Sequence, residues 1–286
     1  MTTFTTTIAA CMGACALTAF TVNAEGVQTF TFKDCEIVCI QDVAVNHPMS
    51  LFSDTANSGY RPKGDYLESS INAFLIRKNG KTMLVDAGND PVRGTLRGKL
   101  QQAKVRPEDV SDIFITHIHP DHVGGLLWEG GALFPNATLH IAKAELDGWR
   151  KDARRAALAK YLDAYEKRMH AFDFTESLPC GVIPLKRGGH TPGHTIYKVS
   201  IAPQAEAIFV GDIVHGVALQ FPHPTFCARY DSAPQEAVVS RIQTLQMKGL
   251  LFGAHFPFPG VALGGAVKST APAWSFDYRK FVPQTK

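Results

Sequence analysis

Two periodicities of apolar and polar positions alternate along this chain. Short runs rich in Val, Ile, Phe and Thr predict strands at 29–32, 36–40, 73–77, 82–85, 113–116, 138–141, 182–185, 196–201, 207–210 and 250–252. Stretches with apolar side chains three and four apart predict helices at 95–103, 143–149, 153–170 and 234–247. The last helix has the clearest punctuation: Ser232 with Gln235 three positions on forms a capping-box pattern, and Gly249 follows its end. Early strand pairs followed by mixed strand and helix units predict two sheets with helices on their outer faces, an α/β (α+β) class. Between 45 and 69 the pattern dissolves into a turn-rich segment carrying Leu51, Phe52, Tyr60 and Tyr66, which reads as a cover over a site.

The N-terminus is patterned differently. Residues 1–24 contain no charged side chain, and an apolar run over 8–20 is interrupted only by Gly13 and Thr18 before Val22-Asn23-Ala24. Such a run is too short to span a bilayer, but it fits the apolar core of a secretory leader with a small-residue cleavage site. Residues 1–24 are therefore read as a signal peptide, although positions 2–7 supply no basic residue ahead of the run. Residues 25–286 form the functional domain, placed in the periplasm or outside the cell without stable membrane insertion. Cleavage after Ala24 leaves Cys35, Cys39, Cys180 and Cys227. Four residues along a strand separate Cys35 from Cys39 by about 13 Å, too far to bridge each other. Small buried hydrophobes or one long-range disulfide both remain open for the four thiols.

Composition narrows the function classes. The 286 residues carry 29 basic and 26 acidic side chains, a net +3, which argues against an electrostatic nucleic-acid binder. Hydrophobic residues at 45% and charged residues at 19% exclude a disordered chain. Eleven histidines are the unusual count, and they direct the search for chemistry.

Four metal-capable side chains fall within six residues in His117-Ile118-His119-Pro120-Asp121-His122, directly after a predicted strand and before Gly124-Gly125. On an extended backbone His117 and His119 share one side, so a single loop can furnish two neighbouring coordination spheres. Imidazole with carboxylate suits zinc, and also iron, cobalt or manganese. Packing alone gives no reason to place three imidazoles and a carboxylate together.

The THxHxDH run with its Gly-Gly resembles the signature of the metallo-β-lactamase superfamily. Leu84-Val85-Asp86-Ala87-Gly88, Gly189-His190-Thr191-Pro192-Gly193-His194-Thr195, Phe209-Val210-Gly211-Asp212 and Leu251-Phe252-Gly253-Ala254-His255 resemble its other motifs, in order. The resemblance implies an αββα sandwich of two mixed sheets with outer helices, and two divalent metals at one edge. It implies that His117, His119 and His194 hold one metal, that Asp121, His122 and His255 hold the second, and that Asp212 bridges them. A metal-bridging hydroxide would then attack the substrate, with Asp121 also serving as general base. His190 is expected to brace its loop by a hydrogen bond, and Asp86 to be structural.

Local features are similar to the branch containing methyl parathion hydrolase and related to quorum-quenching lactonases: the GHTPGHT run, Leu219-Gln220-Phe221, and His255-Phe256-Pro257-Phe258-Pro259-Gly260. That likeness implies a small-molecule substrate, a lactone or organophosphate triester, with Trp149 as an aromatic pocket wall. His215 and Phe52 complete the expected pocket, whereas His47, His140 and His170 have no metal spacing and read as ordinary residues. A β-lactam is the alternative substrate, a non-catalytic metal-binding module the alternative of a different class, and a homodimer is admitted as an assembly.

Overall fold

The computed structural model describes residues 17–151 and 155–265. In chain order the first strands are β1 (Leu17–Ala24), β2 (Val27–Phe32), β3 (Glu36–Pro48), β4 (Phe52–Asp54), β5 (Tyr66–Lys78) and β6 (Lys81–Val85). Helix α1 (Leu96–Gln102), β7 (Val110–Phe114) and α2 (Pro120–Val123) follow, then the short hairpin β8 (Leu127–Trp128) and β9 (Gly131–Ala132). Next come β10 (Thr138–Ala142), α3 (Lys143–Lys151), α4 (Arg155–Asp163) and β11 (Met169–Phe172). The chain continues with β12 (Ile183–Lys186), β13 (Thr195–Ala202), β14 (Ala205–Gly211), α5 (Val217–Gln220) and β15 (Phe226–Ala228). It closes with α6 (Pro234–Leu245), β16 (Gly249–Gly253) and β17 (Val261–Gly264).

Two mixed sheets result. The larger has the order β1-β2-β3-β5-β6-β7-β10-β11, antiparallel as far as β6 and parallel beyond it. The smaller has the order β12-β13-β14-β16-β17, with only β14 and β16 parallel. Between them lies an aromatic core in which Phe74, Phe209 and Phe252 approach one another at ring-centroid distances of 5.3–5.6 Å. Each fully buried Phe contributes about 1.5–3 kcal/mol of transfer free energy, an upper range because unfolded chains already bury part of that area. Alternate residues of the larger sheet, among them Val38, Leu75, Leu84 and Ile113, pack outward with Leu96, Leu100, Leu146 and Leu162. On the far side Ile196, Ile208 and Val210 pack with Val217 and Leu245. Both sheets are buried on both faces, which gives the four expected layers, helix–sheet–sheet–helix.

Three predicted features differ. The helix expected over 153–170 ends at Asp163, and Met169–Phe172 instead forms β11, parallel to β10. Ladder pairing with a neighbour 30 residues away overrides the local helical spacing. The capping box is not made: Ala233 occupies the N-cap without a side-chain bond, and the Ser232 hydroxyl donates to Gly189 O. The turn-rich segment is shorter than expected, because β3 runs on to Pro48 and β5 begins at Tyr66. What lies between is pinned by β4 pairing with β15 and by Tyr60 stacked on His223 at 3.7 Å.

Most of the expected leader lies outside the described residues; its last eight positions form β1, antiparallel to β2. Cys35, Cys39, Cys180 and Cys227 are free thiols, with Cys39 buried between the sheets. Among the described residues no helix is long and apolar enough to cross a membrane.

Candidate metal centre

The histidine motifs all emerge at one end of the two sheets. After β7 the chain passes Thr116, whose backbone N–H and hydroxyl both donate to the Asp86 carboxylate at 2.8 Å. The same carboxylate receives His122 Nδ1 at 2.8 Å, so Asp86 fixes the loop root and one imidazole together. On the second sheet Gly211 ends β14 with φ of +51°, and a Cβ there would stand 2.6 Å from His194 Nε2 and 2.9 Å from Thr116. Only glycine lets the Asp212 turn approach so closely.

The ring nitrogens then converge. His117 Nε2 lies 2.9 Å from His119 Nδ1, and His190 Nε2 lies 3.2 and 3.0 Å from those two atoms. Tetrahedral zinc with Zn–N bonds of about 2.0–2.1 Å holds its ligand atoms about 3.3 Å apart, so this triangle has the size of a metal's donor face. Asp212 sits at the centre. Its Oδ1 is 3.0 Å from His122 Nε2, and its Oδ2 is 3.2 Å from the Nε2 atoms of His190, His215 and His255. Asp121 Oδ2 approaches His255 Nε2 at 3.4 Å and His122 Nε2 at 3.9 Å. Two donor groups with no residue in common form among the described residues, His117–His119–His190–Asp212 and Asp121–His122–His255, and two more that contain His215, His190–His215–Asp231 and Asp212–His215–His255, overlap them. Within them His122 Nε2 and Asp212 Oδ1 are buried without a hydrogen-bond partner of good geometry. Unpaired buried donors and acceptors are costly, and cations shared between the groups would satisfy them.

His194 is the main departure from expectation. It belongs to none of these groups, and His190 stands where it was placed. The Pro192-Gly193 turn carries His194 to the start of β13, where its Nε2 accepts the Asp212 backbone N–H at 3.0 Å. Burial, aided by the charge on His190, pushes His194 down to about 3, which keeps that nitrogen free to accept. His190 instead braces itself: its Nδ1 lies 3.0 Å from Asp231 Oδ1, leaving Nε2 for the cluster. Burial disfavours a charge on His190, but Asp212 and Asp231 outweigh it and raise the ring to about 9. Asp212 itself is pushed up by burial, yet the surrounding imidazoles hold it well below the usual carboxylate range.

The remaining site residues are positioned from farther away. Strand β5 grips the His255 turn: the Ser69 hydroxyl donates to His255 O at 2.7 Å and Asn72 Nδ2 to Phe256 O at 2.8 Å, while Ser70 O receives His255 Nδ1 at 2.9 Å. His215 is fully buried, its ring stacked on that of His255 at 4.9 Å, and neither ring nitrogen has a hydrogen bond of good geometry. His47 proves not to be ordinary, since its ring stands 5.4 Å from His255 and 6.0 Å from His215. It arrives there because β3 is longer than its apolar pattern.

A cavity of about 440 Å³ opens beside the cluster. His119 and His190 form its polar end, and Ile118, Trp149, Leu158 and Pro192 its apolar walls, with Tyr230 at the side. Trp149 is one of the residues lining this cavity, and His215 is not. Phe52 does not line this cavity; it packs with Leu67, Leu219 and Phe226, its ring 6.4 Å from that of His47. His140 and His170 lie 3.0 Å apart on β10 and β11, away from the cluster, with Asp112 and Glu176 at either end of the pair.

Comparison with known proteins finds relatives that share this fold. Residues 67–248 match the family model described as the metallo-beta-lactamase superfamily. Metallo-beta-lactamase domain-containing protein 1 of Xenopus laevis is 31% identical over 141 residues, 48% of this chain and 50% of that protein. A hydroxyacylglutathione hydrolase of Erythrobacter litoralis is 28% identical over 175 residues, 59% of each chain. The chain thus matches from about a sixth to three fifths of the length of its curated relatives. Among solved structures, the hydrolase AbOPH of the beta lactamase superfamily superposes with a TM-score of 0.69 and 28% identity, covering 83% of this chain and 92% of that one. AidC, a dizinc quorum-quenching lactonase in complex with a product, superposes with a TM-score of 0.75 and 25% identity, covering 86% and 95%.

Proposed function

The chain belongs to the metallo-β-lactamase superfamily, and from that premise we propose that it is a binuclear metal-dependent hydrolase of neutral, largely apolar esters, lactones first and organophosphate triesters second. His117, His119 and His190 would hold one divalent cation, and Asp121, His122 and His255 the other, with Asp212 between them. Zinc suits this donor set; iron, cobalt and manganese also accept it. When bound, such a pair lowers the pKa of a shared water and polarises the scissile C=O or P=O. The protein's own residues do the rest. Asp231 orients His190, and Asp86 orients His122, so that the donor atoms are fixed before any metal arrives. Asp121, with its side chain 27% exposed, is the cluster carboxylate open to substrate and can accept and return a proton at Oδ2. His215, fully buried with Nε2 3.2 Å from Asp212 Oδ2, would support that carboxylate from behind.

One observation carries the substrate reading: His119 and His190 belong to the donor cluster and also line the apolar cavity. A substrate buried against Trp149, Ile118 and Leu158 would have its reactive group delivered to the cluster. AidC, named as a lactonase, supports the same class. A β-lactam is the second reading, favoured by exposed Lys151 on the cavity rim, which could pair with one carboxylate. Comparing kcat/KM for an aliphatic lactone, an aryl phosphotriester and a carbapenem decides between them. Dominant lactone turnover is expected, and carbapenem turnover with negligible lactonase and triesterase activity would overturn the assignment.

The mature domain is proposed to begin after Ala24 and to act in the periplasm or outside the cell. Cleavage there would remove β1 and leave β2 at the sheet edge. N-terminal sequencing of the mature protein tests it, and a start upstream of residue 17 contradicts it.

A further inference from the structure

One buried carboxylate beside the site takes no part in the donor cluster. Glu145 stands in the first turn of α3 and is 3% exposed. Its Oε1 accepts the backbone N–H of Ile118 at 2.9 Å, in the loop that carries His117 and His119. Its Oε2 accepts the Thr191 hydroxyl at 2.7 Å and the Gly193 backbone N–H at 3.1 Å, in the loop that carries His190. The three imidazoles of the first donor group therefore sit on two loops, 71 residues apart at His119 and His190, joined by one side chain.

The surrounding glycines show that this junction is built to a tight tolerance. A Cβ on Gly193 would stand 2.0 Å from the Glu145 backbone nitrogen and 2.4 Å from its Cα. A Cβ on Gly148, one turn along α3, would stand 3.1 Å from the Pro192 ring. Thr191, Pro192 and Gly193 thus each have a separate contact with α3, and no ordinary side chain fits between loop and helix. A shift of the second loop on this seat would move His190 Nε2 relative to His117 and His119. The same helix presents Trp149 to the cavity.

We infer that Glu145 is a positioning residue that sets the spacing between the two histidine loops, and hence the affinity of the first metal site. The inference rests on the metal-site reading above. A carboxylate is required because all three partners are donors. Gln in its place can accept at one oxygen only, so its NH2 opposes the N–H of either Ile118 or Gly193.

The test uses the full chain, stripped and titrated with Zn²⁺ against a competing chelator, comparing wild type, Glu145→Gln, Thr191→Val and Thr191→Ser. Glu145→Gln should weaken the first site by about 10–100-fold, as expected for loss of a partner that orients a ligand. Thr191→Val should weaken it less, and Thr191→Ser, which keeps the hydroxyl, should retain wild-type affinity. Amide hydrogen exchange in the metal-free protein gives a readout independent of turnover: the N–H of Ile118 or of Gly193, whichever the Gln NH2 faces, should exchange faster in Glu145→Gln. If Glu145→Gln fails to fold, the Val and Ser pair at Thr191 still decides. Wild-type affinity in both Glu145→Gln and Thr191→Val overturns the positioning role alone. A wild-type chain that binds no Zn²⁺ overturns the site reading, and this inference with it.

Discussion

His190 Nδ1 lies 3.0 Å from Asp231 Oδ1, and this contact aims the opposite nitrogen of the ring at His117 and His119. Of the two histidines in the GHTPGH run, His190, which has the carboxylate partner, is the one that joins a donor group. His190→Ala should lose the first metal equivalent and nearly all turnover. His194→Ala should keep most of that metal, because it removes only an acceptor for the Asp212 N–H. Metal content and kcat of the two variants check this; the reverse ranking would return the role to His194.

Asp212 is within 3.2 Å of four imidazole nitrogens, more than any other acid in the cluster. Asp212→Ala should therefore lower occupancy of both sites, and of the second more than any single non-ligand change does. Two adjacent cations would be left without a shared anion. Retention of two metals and wild-type turnover in Asp212→Ala would sink the bridging role.

Asp231 also holds Arg241, whose Nη2 donates to Oδ2 at 3.1 Å with both side chains fully buried. Arg241 further donates to Ile213 O, Pro224 O and Phe226 O, tying α6 to the segment after Asp212 and to β15. Asp231→Ala should cost about 3–5 kcal/mol, the usual consequence of leaving one partner of a buried pair uncompensated. Urea denaturation of the metal-free protein measures it; a loss below about 1 kcal/mol would mean that water or rearrangement compensates the guanidinium.

Acid stability has a contribution far from the metal centre. Burial would raise Asp112, but hydrogen bonds from His140 and Ser111 and the charges of His140 and Lys81 outweigh it and hold it at about 2. A carboxylate depressed on folding stabilises the native state above its ordinary value of 3.8, and loses that contribution as pH falls through about 2. Asp112→Asn should lower stability at neutral pH by about 1–2 kcal/mol and flatten the acid limb between those values. An unchanged acid limb in urea titrations would assign the loss to other carboxylates.

The layers and most members of the candidate donor cluster are legible because short motifs are bound by local chemistry. His117, His119, Asp121 and His122 must lie close in sequence if one loop is to serve two donor groups. The choice between His190 and His194 was not legible, since it depends on Asp231, 41 residues away from His190. Ser69, Asn72 and Glu145 carry no local signal either; their partners stand across the sheet end, 186 residues away for Ser69 and His255. His47 carries no signal of its own because its environment comes from the extension of β3, not from its neighbours. Strand β11 was hidden for a related reason: its pairing partner, not its own spacing, makes it a strand.

The central claim is a pair of metals held by His117, His119 and His190 on one side and Asp121, His122 and His255 on the other, with Asp212 between. Metal quantification on the mature protein, purified without chelator and titrated to full activity, tests it most directly. Two equivalents per chain at full activity are expected; saturation near one equivalent with no further gain in turnover would contradict the binuclear account.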